Sequence, residues 1–165
     1  SITHKKYVVL PQRLVGPVQA FMECDCRVES AIVYSFSTAK IGGKRFTCGE
    51  MLCVGKKRCG SVVTMVSRGR SMYGLVKKFY RVVCSCDYFF DFAVVTWFPN
   101  PTYPDRDPLT VEINIGGVDV NNIDRVCVVP LKYLQPSRIA VEFDDRRPVM
   151  LMYRIDGTDT NPIFN

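Results

Sequence analysis

The feature that most constrains this chain is the rhythm of its apolar runs. "YVVL", "SVVTMVS", "YFFDFAVVTWF", "LTVEINI", "DRVCVVP", "RIAVEF" and "VMLMYRI" are short and rich in β-branched and aromatic residues. Each is cut off by glycine, proline, asparagine or a charged turn, which is the pattern of strands and not of helices. No stretch carries a long apolar stripe at 3.6-residue spacing. The expectation is a mostly-β, single-domain, β-barrel-like fold with short helical turns. "IGGKR" marks a Gly-Gly hairpin, with "RFTCGEMLCV" as the return strand, and "LKYLQP" suits a single helical turn. Residues 18–41 read as one or two further strands. In "MYGLVKKFYRVVCS", period two sets Leu75, Phe79 and Val83 on one side and Val76, Tyr80 and Val82 on the other.

Length and composition agree with one domain spanning residues 1–165. The chain has 165 residues and is 47% hydrophobic, enough for a single core without stapling. No apolar run approaches the ~20 residues that span a bilayer, so no membrane partner is expected. No secretory signal opens the chain, and the abrupt "SITHKKYVVL" start reads as a piece of something longer. Charge is uneven. Lys56, Lys57, Arg58, Arg68, Arg70, Lys77, Lys78 and Arg81 fall within residues 51–86, which hold no acid, whereas acids outnumber bases beyond residue 86.

The cysteines are 24, 26, 48, 53, 59, 84, 86 and 127. Cys24 with Cys26, and Cys84 with Cys86, form C-x-C pairs within strand-like text, where period two puts both sulfurs of a pair on one face. Structural zinc sites favour C-x(2–4)-C spacing, and the C-x4-C of Cys48 and Cys53 also looks like strand. Most of the cysteines therefore read as reduced core residues of an intracellular protein, with no metal and no cofactor expected.

Catalysis finds no foothold. The one histidine, His4, sits at the ragged N-terminus, and a Ser–His–Asp or Cys–His arrangement needs a histidine held by its neighbours. G-x-S-x-G, H-E-x-x-H and the phosphate-binding P-loop are absent. The acids of "GVDVNNID" and "FDD" suit turns. The reading is non-enzymatic.

Trp97, the only tryptophan, ends the longest apolar run and enters the proline-rich "PNPTYPDRDP". Such a residue either plugs the end of a core or helps build a binding surface at a strand end. Several pieces, in order over roughly residues 40–143, resemble a bromo-adjacent homology (BAH) domain of chromatin proteins. "IGGKRFTCGEMLCVG" is similar to the family's opening strand, with Phe46, Gly49 and Glu50 at the aromatic, glycine and acidic positions. "MYGLVKKFYRV" is similar to its "yigrIekI" strand, "VVTWFPNP" to its "WfyRPeE" segment and "DRVCVVPLKYLQPSRIAV" to its closing segment. Here Glu50 replaces the usual aspartate, and Pro99 and Asn100 stand where an aromatic residue and an arginine are common.

The resemblance implies a nuclear interaction module that binds a histone tail, a nucleosome or another chromatin protein. In some members aromatic faces cage a methylated lysine. By position the cage residues here would be Tyr73, Trp97 and Phe98, with Tyr103 from the loop; packing in the core or at its rim is the competing role for Tyr73 and Trp97. Two other functions fit the residues. One is a nucleic-acid-binding β-barrel that uses the 56–81 basic block, with Lys56, Lys57, Arg58, Arg68 and Arg70 as an anionic-partner surface and Tyr73, Phe79 and Tyr80 as stacking groups. The other is a protein–protein scaffold without a methyl-lysine cage.

Overall fold

The computed structural model of the chain describes residues 2–3, 6–49, 60–99, 110–114, 126–136, 139–143 and 149–154. Among these, strand dominates. Two short N-terminal strands, β1 (Ile2–Thr3) and β2 (Lys6–Tyr7), precede helix α1 (Gln12–Phe21). The strands β3 (Ile32–Phe36), β4 (Thr38–Ile41), β5 (Lys44–Thr47), β6 (Val62–Ser67), β7 (Arg70–Val83) and β8 (Phe89–Trp97) follow. Then come β9 (Thr110–Asn114), β10 (Val126–Pro130), a 3-10 turn over Leu131–Tyr133, β11 (Leu134–Gln135), β12 (Ile139–Phe143) and β13 (Val149–Arg154). No helix among the described residues is long and apolar enough to cross a membrane.

The largest sheet is organised around β7. One edge of β7 pairs with β8; the other is shared, with β6 along Arg70–Leu75 and β3 along Phe79–Val83. β10 flanks β8, and β11 adds to β6, giving the antiparallel order β11-β6-β7-β8-β10. The three-residue 3-10 turn is all that separates β10 from β11 in the chain, yet no ladder joins those two strands. Two smaller antiparallel sheets, β1-β4-β5 and β12-β13-β9, complete the described structure.

Local sequence accounts for these elements. Gly42 and Gly43 have φ of +56° and +81°, which closes the β4–β5 hairpin as the Gly-Gly signal requires. β8 is apolar almost without interruption because it is paired on both edges and covered on both faces. Phe90, Phe92 and Val94 point into one buried cluster with α1, while Ala93 and Val95 point into another. That second cluster receives a side chain from every strand of the β11-β6-β7-β8-β10 series: Leu134, Val63, Val76 and Phe79, Ala93 and Val95, and Val129. A third cluster packs the β12-β13-β9 sheet on β6 and β7, through Ile113, Ile139, Val141, Met150 and Met152 against Val62, Tyr73 and Leu75.

Three sequence expectations need correction. Residues 12–21 form a 10-residue helix where only short helical turns are expected, with Leu14 and Val18 buried one turn apart, while the 18–41 stretch does contain two strands, over 32–36 and 38–41. The facing assigned along β7 fails because a bulge inserts Lys77 between Val76 and Lys78. The extra residue resets the alternation, so Val76 joins Phe79 in one cluster while Leu75 faces another. Finally, both C-x-C pairs lie outside strands: Cys24 and Cys26 in the bends after α1, Cys84 and Cys86 in the β7–β8 turn.

Candidate functional site

The site is built where β8 ends. Trp97 is the cross-strand partner of Gly74 on β7. A Cβ placed on residue 74 would stand 2.7 Å from Trp97 Cε3 and 2.5 Å from Val95 Cγ1. The absent side chain therefore lets the indole lie close across β7. In this position Trp97 is half-buried, packed on the shared strand cluster by one face.

Trp97 also lines a groove of about 750 Å3. Met65 and Val66 of β6, Cys127 to Pro130 of β10, Phe21 at the end of α1 and Tyr133 line it with Trp97. Apolar residues are unusually open here: Phe21 is 40% exposed, Val66 46% and Tyr133 50%. The groove sits beside the outer edge of β10, which has no strand partner among the described residues. A neighbouring cavity of about 320 Å3 shares Phe21, Pro130, Lys132 and Tyr133 with it and continues towards Tyr88 and Phe89.

Among the described residues, the charged groups that line the larger groove are Arg68 and Lys132, both cations. Lys132 Nζ lies 3.3 Å from Glu23 Oε1 and 5.5 Å from the centre of the Tyr133 ring. Arg68 has no ion-pair partner among the described residues. In the adjoining cavity, Asp91 is held by Arg81, whose Nε and Nη2 donate to its two carboxylate oxygens at 2.6 and 2.8 Å. That hydrogen bond is the main reason the Arg81 guanidinium is raised further above its ordinary range. Its carboxylate is thus already partnered and unavailable to a ligand cation.

The proposed aromatic cage is not assembled. Tyr73 is 2% exposed and Phe98 8%, both in the core cluster that carries the β12-β13-β9 sheet. Trp97 and Phe98 are adjacent in an extended segment, so they point to opposite faces, and Trp97 belongs to a different cluster. Tyr103 lies outside the described residues. The same burial removes Tyr73 and Phe79 as stacking groups for nucleic acid, because Phe79 is fully enclosed. Tyr80 packs against Phe92 with ring centres 5.2 Å apart. Of the basic block, Arg68 and Arg70 are exposed on the β6–β7 turn, while Lys56, Lys57 and Arg58 lie outside the described residues.

Phe21, Val66 and Tyr133 were not legible as site residues. The usable signal was Tyr133 on a turn bounded by Pro130 and Pro136, an aromatic residue with no strand or helix face to bury it. Among known proteins, the chain matches no family model, no curated sequence and no solved structure.

Proposed function

We infer that this protein is a non-enzymatic, BAH-like interaction module of chromatin, acting in the nucleus, which holds an apolar segment of a protein partner in the groove beside Trp97. The BAH-like reading rests on the ordered motif resemblance over residues 40–143. It is compatible with the mostly-β architecture, in which all five strands of the β11-β6-β7-β8-β10 series send side chains into one cluster.

The observation that carries the binding reading is a groove lined by exposed Phe21 and Tyr133 and half-buried Trp97, with Arg68 and Lys132 also lining it. Aromatic side chains left open around a concave surface gain most when a partner's apolar side chain covers them. Charge chooses among partners. Lys132 is already paired with Glu23, so a methylated lysine would meet Arg68 with like charge, whereas a segment with acids flanking an apolar anchor would be attracted to it. A protein partner with an acid-flanked apolar segment is therefore favoured over a methylated histone tail.

Trp97 reports directly on occupancy, being the only tryptophan. Titration with apolar peptides flanked by Asp or Glu is expected to change its emission and to saturate, and Tyr133→Ala is expected to abolish the change while leaving the melting temperature nearly unaltered. Histone-tail peptides and duplex DNA form the comparison arms. Methylation-dependent binding of a histone peptide would overturn the acid-flanked reading. DNA binding with a steep salt dependence, lost on Arg68→Glu with Arg70→Glu, would put the nucleic-acid function in its place.

A further inference from the structure

Sixty residues of chain separate Cys24 from Cys84, yet their Sγ atoms lie 3.7 Å apart. Cys26 completes a group in which all three sulfurs fall within 4.8 Å of one another. Each is a free thiol. At this separation the sulfurs are far beyond the ~2.05 Å of a disulfide. The Cys24–Cys84 separation is close to the ligand–ligand edge around one zinc ion, since Zn–S bonds of ~2.3 Å in tetrahedral geometry place sulfurs about 3.8 Å apart, and Cys26 lies within 4.8 Å of both.

The surrounding chain fixes this convergence. Gln19, in the last turn of α1, donates from Nε2 to the Cys26 carbonyl at 2.9 Å and accepts from the Val28 N–H through Oε1 at 2.9 Å. The Glu23 N–H donates to the Tyr88 hydroxyl at 3.0 Å, tying the segment to the other side of the β7–β8 turn. Within that turn the Cys84 N–H donates to the Tyr88 carbonyl at 2.8 Å, and the Asp87 N–H to the Cys84 carbonyl at 3.1 Å. Both ligand-bearing segments lack regular structure, and hydrogen bonds hold each in place. A small-hydrophobe role would explain Cys84, which is 3% exposed. Cys24 and Cys26 also pack on the α1 cluster from half-buried positions, but packing alone does not require their sulfurs to converge with that of Cys84 within 4.8 Å.

We propose that Cys24, Cys26 and Cys84 form a zinc site, with three thiolates from the chain and the fourth position open to solvent, that clamps the segment after α1 onto the β7–β8 turn. Cys86, two residues beyond Cys84, is exposed and outside the group. The C-x-C spacing differs from a zinc knuckle because the bends, not a tight turn, bring the pair together. Zinc binds the thiolate form, so uptake of the metal releases thiol protons.

The test uses the full 165-residue chain, stripped with a chelator under reducing conditions and titrated with Zn2+, then with Co2+ as a spectroscopic stand-in. One equivalent of metal per chain is expected. The cobalt form should show tetrahedral d–d bands and thiolate charge-transfer absorption of three-thiolate intensity. Cys26→Ser, at a half-buried position, is expected to weaken binding by more than the roughly 10- to 100-fold that losing an outer-shell partner costs, and Cys24→Ser likewise. Where buried Cys84→Ser fails to fold, these two variants and the wild-type cobalt spectrum decide. Paired Cys48→Ser and Cys127→Ser, and paired Cys53→Ser and Cys59→Ser, should retain the metal. Reduced wild-type protein that takes up no zinc would overturn the proposal, as would Cys24→Ser and Cys26→Ser binding like wild type, or loss of the metal in the Cys53 and Cys59 pair.

Discussion

Replacing Gly74 by alanine tests the packing that positions Trp97. The added Cβ would stand 2.5 Å from Val95 Cγ1, 2.7 Å from Trp97 Cε3 and 2.9 Å from the Thr96 carbonyl oxygen. Ordinary contacts between carbon atoms lie at about 3.5–4.0 Å, so two side chains must withdraw by about 1 Å. The carbonyl belongs to the β7–β8 backbone and cannot rotate away. Overpacking of this kind costs about 1–3 kcal/mol. Alanine is easier to order than glycine in a strand, which offsets about 0.5–1 kcal/mol. The net expectation is a loss of about 1–2 kcal/mol, which at a urea slope of about 2 kcal/mol/M lowers the midpoint by about 0.5–1 M. Urea unfolding followed by Trp97 emission measures both consequences at once: the midpoint falls, and the native emission shifts because the indole has moved. A Gly74→Ala protein with an unchanged or higher midpoint and native-like emission would refute the claim that glycine at 74 makes room for the indole.

Four further substitutions, two of them combined in one double-mutant cycle, separate core from surface. Tyr73→Ala should cost about 3–5 kcal/mol, a large share of the ~5–15 kcal/mol that holds a typical fold, and lower thermal stability accordingly; near-wild-type melting would return Tyr73 to the list of surface residues. Thr96 and Thr64 are fully buried, and neither hydroxyl has a hydrogen-bond partner among the described residues. Thr96→Val should therefore raise stability by about 1 kcal/mol in a calorimetric melt. Asp91 is the cross-strand partner of Arg81, which also lies 4.4 Å from the Phe89 ring centre. A double-mutant cycle on Arg81→Ala and Asp91→Ala should give a coupling of about 0.5–1 kcal/mol that shrinks in high salt, and zero coupling would mean the pair is ornamental.

Much of the strand pattern is legible because its cause is local. The hairpin at residues 38–47 follows from two glycines that accept positive φ, and β8 announces its burial on both faces by its unbroken apolar run. Helix α1 is obscured because Gly16 and Pro17, poor helix formers, sit in the middle of its Leu14–Val18–Met22 face. The facing along β7 fails for a different reason: a bulge changes parity by one residue, and Lys77 is not a residue type that signals it. The groove and the cysteine group are non-local. Phe21, Val66, Trp97 and Tyr133 come from four elements, and nothing in "MECDCRVE" says that its sulfurs meet a third one across the β7–β8 turn. Trp97 and Phe98 show the limit most sharply: one residue apart and both aromatic, they enter different environments because alternation, not composition, decides the face.

The pairing of β11 with β6 has a consequence for synthesis. Met65 finds its partner Leu134 only 69 residues further along the chain. At about 5–20 residues per second on the ribosome, the outer edge of β6 waits roughly 3–14 s for its neighbour. During that interval "SVVTMVS" is an open, β-branched edge, the kind of segment through which nascent chains join one another. Arg68 and Arg70 stand immediately after it, both exposed, and their charge repels a second copy of the same edge until the turn after β10 brings β11 into register.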